Sequence, residues 1–94
     1  MHTIIYEHNT PEQNRFVSIS DFKDCMHWHG EVEFTWKGVT YGITHPENRI
    51  LIYEYYKPET EKWCDSADDA LEYIVGGDRL RDVITQVTVD FRSI

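Results

Sequence analysis

The sequence has little of what covalent stapling, membrane insertion or catalysis requires. It holds two cysteines in 94 residues, Cys25 and Cys64, too few for a disulfide framework. No apolar run approaches the roughly 20 residues needed to cross a bilayer. The opening MHTIIYEHN has neither the basic start nor the long apolar core of a signal peptide. A cytoplasmic location with both thiols reduced is therefore expected. Glycine-rich phosphate loops and nucleophile–base patterns are missing, as are internal repeats and linkers. Basic residues are scarce: nine Lys and Arg face seventeen Asp and Glu, a formal charge of −8. Such a surface repels phosphate backbones and anionic lipid, so neither direct nucleic-acid binding nor membrane binding is expected.

What is present is a patterned chain rich in aromatic side chains. Apolar residues make up 40% and aromatic residues 14%, which excludes disorder and allows a single domain, 1–94, around one modest core. The stretch Gly30 to Thr44, GEVEFTWKGVTYGIT, organises it. Val32, Phe34 and Trp36 alternate with Glu31, Glu33 and Thr35, the period of a half-buried strand. Lys37-Gly38 supplies a two-residue turn, with Gly38 free to take a positive φ. That turn sets Trp36 opposite Val39, Phe34 opposite Tyr41 and Val32 opposite Ile43, all on one face. Glu31, Glu33, Thr35, Thr40, Gly42 and Thr44 take the other.

The segments around this hairpin read as follows. Residues 1–14 are an edge strand (HTIIYEH) or a loose arm, with NTPEQN as a loop broken by Pro11. Ser18 caps a helix over 19–29, Asp21 suits its positive first turn, Val17 and Phe22 form a hydrophobic staple, and Gly30 ends it. Ile19, Phe22, Cys25, Met26 and His29 line its apolar stripe. After a turn at His45-Pro46-Glu47-Asn48, a third strand runs from Ile50 to Tyr55. Two registers are possible for it; the preferred one points Ile50 and Ile52 inward and places Leu51, Tyr53 and Tyr55 beside Glu31 and Glu33. Lys57 to Asp65 reads as a polar loop. Ser66 caps a second helix over 67–75, with Ala67, Ala70, Leu71, Ile74 and Val75 on one face and Asp68, Asp69 and Glu72 on the other. Gly76-Gly77 close it, Asp78 caps a short turn over Arg79 to Ile84, and Gln86 to Phe91 is a last strand. The sum is an α+β fold, an antiparallel sheet of three to five strands with two helices packed on the Val32/Phe34/Trp36 face.

Two constellations could carry chemistry. Cys25, His27 and His29 are metal-ligand types, yet on a helix they point in different directions and no paired C-x-x-C or H-x-x-x-H completes a site. No cofactor or metal is expected, and no catalytic residue. Glu31 and Glu33 share a strand face but lack a nucleophile or oxyanion donor. The aromatic set carries more weight: Trp28, Trp63, Tyr53, Tyr55 and Tyr56 cannot all enter so small a core beside Phe34, Trp36 and Tyr41. Some must lie at the surface among carboxylates, a composition suited to a basic, arginine-bearing protein surface.

The segments SISDF, GEVEFTWKGVTYGI, RILIYE, SADDALEY and GDRLRDVITQVTV together resemble a loose group of small acidic α+β proteins of unknown function from Gram-positive bacteria and their prophages. In size and charge the chain is also similar to anti-CRISPR and related anti-defence inhibitors. That likeness implies a non-enzymatic inhibitor or adaptor acting in a host cytoplasm on a basic, nucleic-acid-binding surface of a nuclease complex. The expected contacts are Glu31, Glu33, Tyr53 and Tyr55 on the open sheet face, with Asp68, Asp69 and Glu72 as a second acidic patch. The alternatives are a structural homodimer or housekeeping protein using the tyrosine face, and a small metal-binding protein or hydrolase using Cys25, His27 and His29.

Overall fold

The computed structural model describes residues 10–94; the strand-or-arm reading of residues 2–8 lies outside the described residues. The elements run α1 (Pro11–Asn14), α2 (Ile19–His27), β1 (Val32–Trp36), β2 (Val39–Thr44), a 3-10 turn (Pro46–Asn48), β3 (Ile50–Glu54), β4 (Lys57–Cys64), α3 (Ala67–Ala70), β5 (Ile74–Val75), β6 (Asp78–Arg79), α4 (Leu80–Val83) and β7 (Thr88–Arg92). Five strands form an antiparallel sheet in the order β4-β3-β2-β1-β7, and β5-β6 make a small separate ribbon. The fold is α+β, as the patterning predicts.

The central hairpin has the expected register: Val32 pairs with Ile43, Phe34 with Tyr41 and Trp36 with Val39. Lys37 and Gly38 both take positive φ, 51° and 79°, the twist that lets a two-residue loop join twisted strands. On the inner face Phe34 and Tyr41 stack with centroids 5.2 Å apart. Ile50 and Ile52 join them from β3, as expected. Phe22, Cys25 and Met26 from α2, Leu80 and Val83 from α4, and Val89 from β7 close the core over them. Full burial of each large aliphatic or aromatic side chain contributes about 1.5–3 kcal/mol.

Several local expectations give way to tertiary packing. Lys57 to Cys64 is not a loop but the edge strand β4, paired with β3. Its lysines, glutamates and Pro58 disguise it, and these are the residues that keep an exposed edge from pairing with another chain. Strand β3 stops at Glu54, and the β3–β4 connection turns through Tyr55 and a left-handed Tyr56 (φ 65°). The helix expected over 67–75 lasts one turn, Ala67–Ala70. Ile74 and Val75 instead pair with Asp78 and Arg79 across Gly76-Gly77, leaving Ile74 56% exposed. Two glycines at positive φ (56° and 88°) form a hairpin turn as readily as a helix end.

Asp78 does not cap α4. Its carboxylate accepts from Trp36 Nε1 at 3.0 Å and pairs with Lys37 Nζ at 3.0 Å, pinning the ribbon to the end of the central hairpin. These contacts hold its carboxyl below the usual range. Helix α2 ends at His27, two residues early; its left-handed cap is His29 (φ 58°), with Gly30 N–H donating to Cys25 O at 2.8 Å. Gly30 serves closeness rather than φ, because a Cβ there would lie 2.4 Å from Cys25 Sγ. Pro11 opens the short helix α1 rather than breaking a loop, in keeping with its tolerance in a first turn. The final strand is shifted to Thr88–Arg92, with a bulge against β1 between Glu33 and Phe34.

Ser18 caps α2 as expected, accepting from Asp21 N at 3.0 Å. The Asp21 carboxylate then holds Arg92 with two bonds, 2.9 and 3.2 Å. It also accepts from Val17 N at 3.1 Å. Arg92 reaches Asn14 O and lies 4.3 Å from the Phe16 centroid, clamping the end of β7 to α1 and α2. The hydrogen bonds from Arg92 outweigh burial and set the Asp21 carboxyl below its ordinary 3.8. A depressed carboxylate adds stability that is complete above its unfolded value and is lost as pH falls toward the folded value. The urea midpoint is therefore expected to drop as pH falls through 3.8, and Asp21→Asn should flatten that part of the profile.

Candidate protein-binding face

Among the described residues, the helices pack against one side of the sheet and leave the other side open. Strand alternation delivers Glu33 and Thr35 from β1, with Glu31 just before it, Thr40, Gly42 and Thr44 from β2, and Leu51 and Tyr53 from β3 to that side. Tyr55 lies over it from the β3–β4 turn. Strand β4 adds Glu61 and Trp63, and β7 adds Asp90 and Phe91, Phe91 paired with Glu33. The sequence reading missed Glu61 and Trp63 because it took β4 for a loop. Exposed Glu59, Glu61 and Trp63 alternate with the more buried Thr60, Lys62 and Cys64, but polar Thr60 and Lys62 on the inner side hide that alternation in the sequence.

The expected sheet-face quartet does come together. Tyr53 and Tyr55 lie 5.7 Å apart, tilted by 30°. They rest over Gly42, where a Cβ would fall 2.6 Å from a Tyr55 ring carbon and 2.7 Å from one in Tyr53. Glycine is thus required in this strand for close approach. Burial pushes both phenols up; Tyr55 is raised further by its hydrogen bond to Glu33, and Tyr53 by the charges of Glu31, Glu33 and Glu61. Both stay protonated at neutral pH. The two tyrosines, Glu31, Glu33, Thr44 and Phe91 line a groove of about 210 Å³.

Eight of the nine Lys and Arg residues lie in ion pairs. Among the described residues, eight carboxylates are in no ion pair: Glu12, Asp24, Glu47 and Glu59, and the four of the open face, Glu31, Glu33, Glu61 and Asp90. Asp90 instead accepts from Thr35 Oγ1 at 2.7 Å. The one guanidinium beside this face, Arg49, lies 4.9 Å from the Trp63 centroid and is bound to Asp65. Among the described residues, the face therefore keeps its negative charge uncompensated.

The second expected patch differs. Asp68 pairs with Lys23 at 3.0 Å and Arg81 at 3.8 Å, Asp69 with Lys62 at 3.6 Å, and Glu72 with Arg81 at 2.6 Å and Arg79 at 3.5 Å. These carboxylates tie α3 to its neighbours and present mixed charge. Cys25 is buried in the core, His27 is exposed, and His29 stacks on His45 at 5.1 Å. Among the described residues, no three His, Cys, Asp or Glu side chains are placed to share a metal ion. Trp28 and Tyr56 are exposed away from the groove lining.

A larger depression of about 400 Å³ lies between α2, the 3-10 turn and the start of α3. Its Lys23–Asp68 and Arg49–Asp65 pairs already satisfy each other at 3.0 and 3.1 Å. Volume alone does not make it the better site. Among the described residues no helix is long and apolar enough to cross a membrane. Compared with known proteins, the chain matches no family model, no curated protein and no solved structure.

Proposed function

We propose that the protein is a non-enzymatic inhibitor or adaptor whose open sheet face docks on a basic, nucleic-acid-binding surface of another protein. The observation that carries this reading is the clustering of Glu31, Glu33, Glu61 and Asp90, none of them in an ion pair among the described residues, with Tyr53, Tyr55 and Phe91 on one open sheet face. Uncompensated carboxylates draw in a cationic surface and set its register, and tyrosines supply rigid contact area. Asp68, Asp69 and Glu72, on the helical side and already paired with lysine and arginine, are in this reading a separate, secondary patch. The resemblance to anti-defence inhibitors makes a phage-encoded blocker of a host nuclease complex the preferred form of it.

Competition tests the reading. Immobilised protein is expected to capture a bacterial nucleic-acid-binding protein at low salt and to release it when duplex DNA or RNA is added. Release should grow as ionic strength rises, because exposed charge pairs are screened over about 8–10 Å at physiological salt. A captured protein that nucleic acid cannot displace would sink the shared-surface reading.

A further inference from the structure

We infer that the groove on the open sheet face is a seat for an arginine side chain of the partner, its guanidinium lying on Tyr53 and Tyr55 and bonded to Glu31 and Glu33. The inference rests on the protein-binding reading above and narrows it to one recognition chemistry. Three features of the face converge on a flat cation.

The two tyrosine rings are tilted by only 30° at 5.7 Å, so together they form a shallow platform rather than an edge. Gly42 beneath them keeps that platform low, since any side chain there would collide with both rings. Beside the platform stand two carboxylates, Glu31 and Glu33, that have no cationic partner among the described residues and line the same groove. Phe91 and Thr44 complete the groove of about 210 Å³.

A guanidinium suits such a place because it is planar, weakly hydrated and carries its donors in a rigid fork. It can stack on the rings and still give two parallel hydrogen bonds to a carboxylate. A lysine ammonium is compact and strongly hydrated; it gains the charge attraction but loses water to gain the ring. The occupant is thus an arginine-bearing segment of a basic protein. Charge complementarity argues for it, as the chain carries −8 overall and this face holds acidic groups left unpaired within the described chain.

The test uses the full chain and two synthetic peptides of one sequence, with arginine at every basic position in the first and lysine in the second. Binding is read by tyrosine and tryptophan fluorescence at constant salt. The arginine peptide should bind at least about tenfold tighter, the scale of a desolvated cation–π contact. Tyr55→Leu should reduce it to the lysine level and leave the lysine peptide unchanged; Gly42→Ala, which displaces the rings without altering charge, should do the same. If Gly42→Ala fails to fold, Tyr55→Leu at the half-buried turn position, with its fold checked by urea unfolding, still decides. Equal affinity of the two peptides for the unaltered protein overturns the arginine seat while leaving the docking face intact. If Glu31→Gln with Glu33→Gln changes neither affinity, the protein-binding reading fails with it, as it does if neither peptide binds. A mass twice that of one chain in sedimentation, abolished by Tyr55→Leu, would show that a second copy occupies the face, which also overturns the proposal.

Discussion

Reversing both strand carboxylates, Glu31→Lys with Glu33→Lys, is expected to lower affinity for the captured partner at least about a hundredfold. The change replaces two attractive charges with two repulsive ones at the centre of the open face. Neither glutamate has an ion-pair partner to lose among the described residues, so the domain itself should hold. Exposed substitutions of this kind usually alter stability by no more than about 0.5 kcal/mol. The paired reading, affinity by titration calorimetry and stability by urea unfolding, separates a lost interface from a lost fold. Unchanged affinity would move the interface off the sheet. As a comparison, Asp68→Asn should cost little affinity, because that carboxylate is already committed to Lys23 and Arg81.

The second large effect concerns the entry to α2. Phe16→Ala is expected to destabilise the domain by about 3–5 kcal/mol, against a total of roughly 5–14 kcal/mol for a chain of this length. Phe16 is fully buried, packs edge-on to Phe22 at 5.3 Å and lies beneath the Arg92 guanidinium. Its removal opens a cavity under the Asp21–Arg92 clamp. Val17→Ala should change stability by no more than about 0.5 kcal/mol, since Val17 is 73% exposed. Capping logic taken from sequence picks the residue just before the cap, Val17. The chain instead turns so that the larger, aromatic neighbour goes inward. Urea unfolding of the two variants side by side would reverse that assignment if Val17→Ala proved the costlier.

The sequence alone determined whatever rests on contacts between near neighbours. Alternation in VEFTW and VTYGI, joined by Lys37-Gly38, sets one hairpin register, because a slip by one residue would turn Phe34 and Tyr41 out to solvent. The Ser18 and Ser66 caps are equally local; the facing of β3 was not, since its pattern allowed two registers and pairing with β2 selected the preferred one, with Ile50 and Ile52 inward. The Glu31/Glu33/Tyr53/Tyr55 quartet followed from that register. Only the tertiary structure decided where periodic patterns compete. Ala67 to Val75 has helical spacing, yet Val75 enters the core through a strand, because Gly76-Gly77 turns the chain so that Asp78 can meet Trp36 and Lys37 on a distant hairpin. Lys57 to Cys64 has too few apolar residues to show itself as a strand; its place comes from the free edge of β3. The charge of the open face was likewise hidden. Seventeen acidic residues look alike in sequence, and long-range ion pairs alone reveal which of them the chain's own lysines and arginines leave uncompensated.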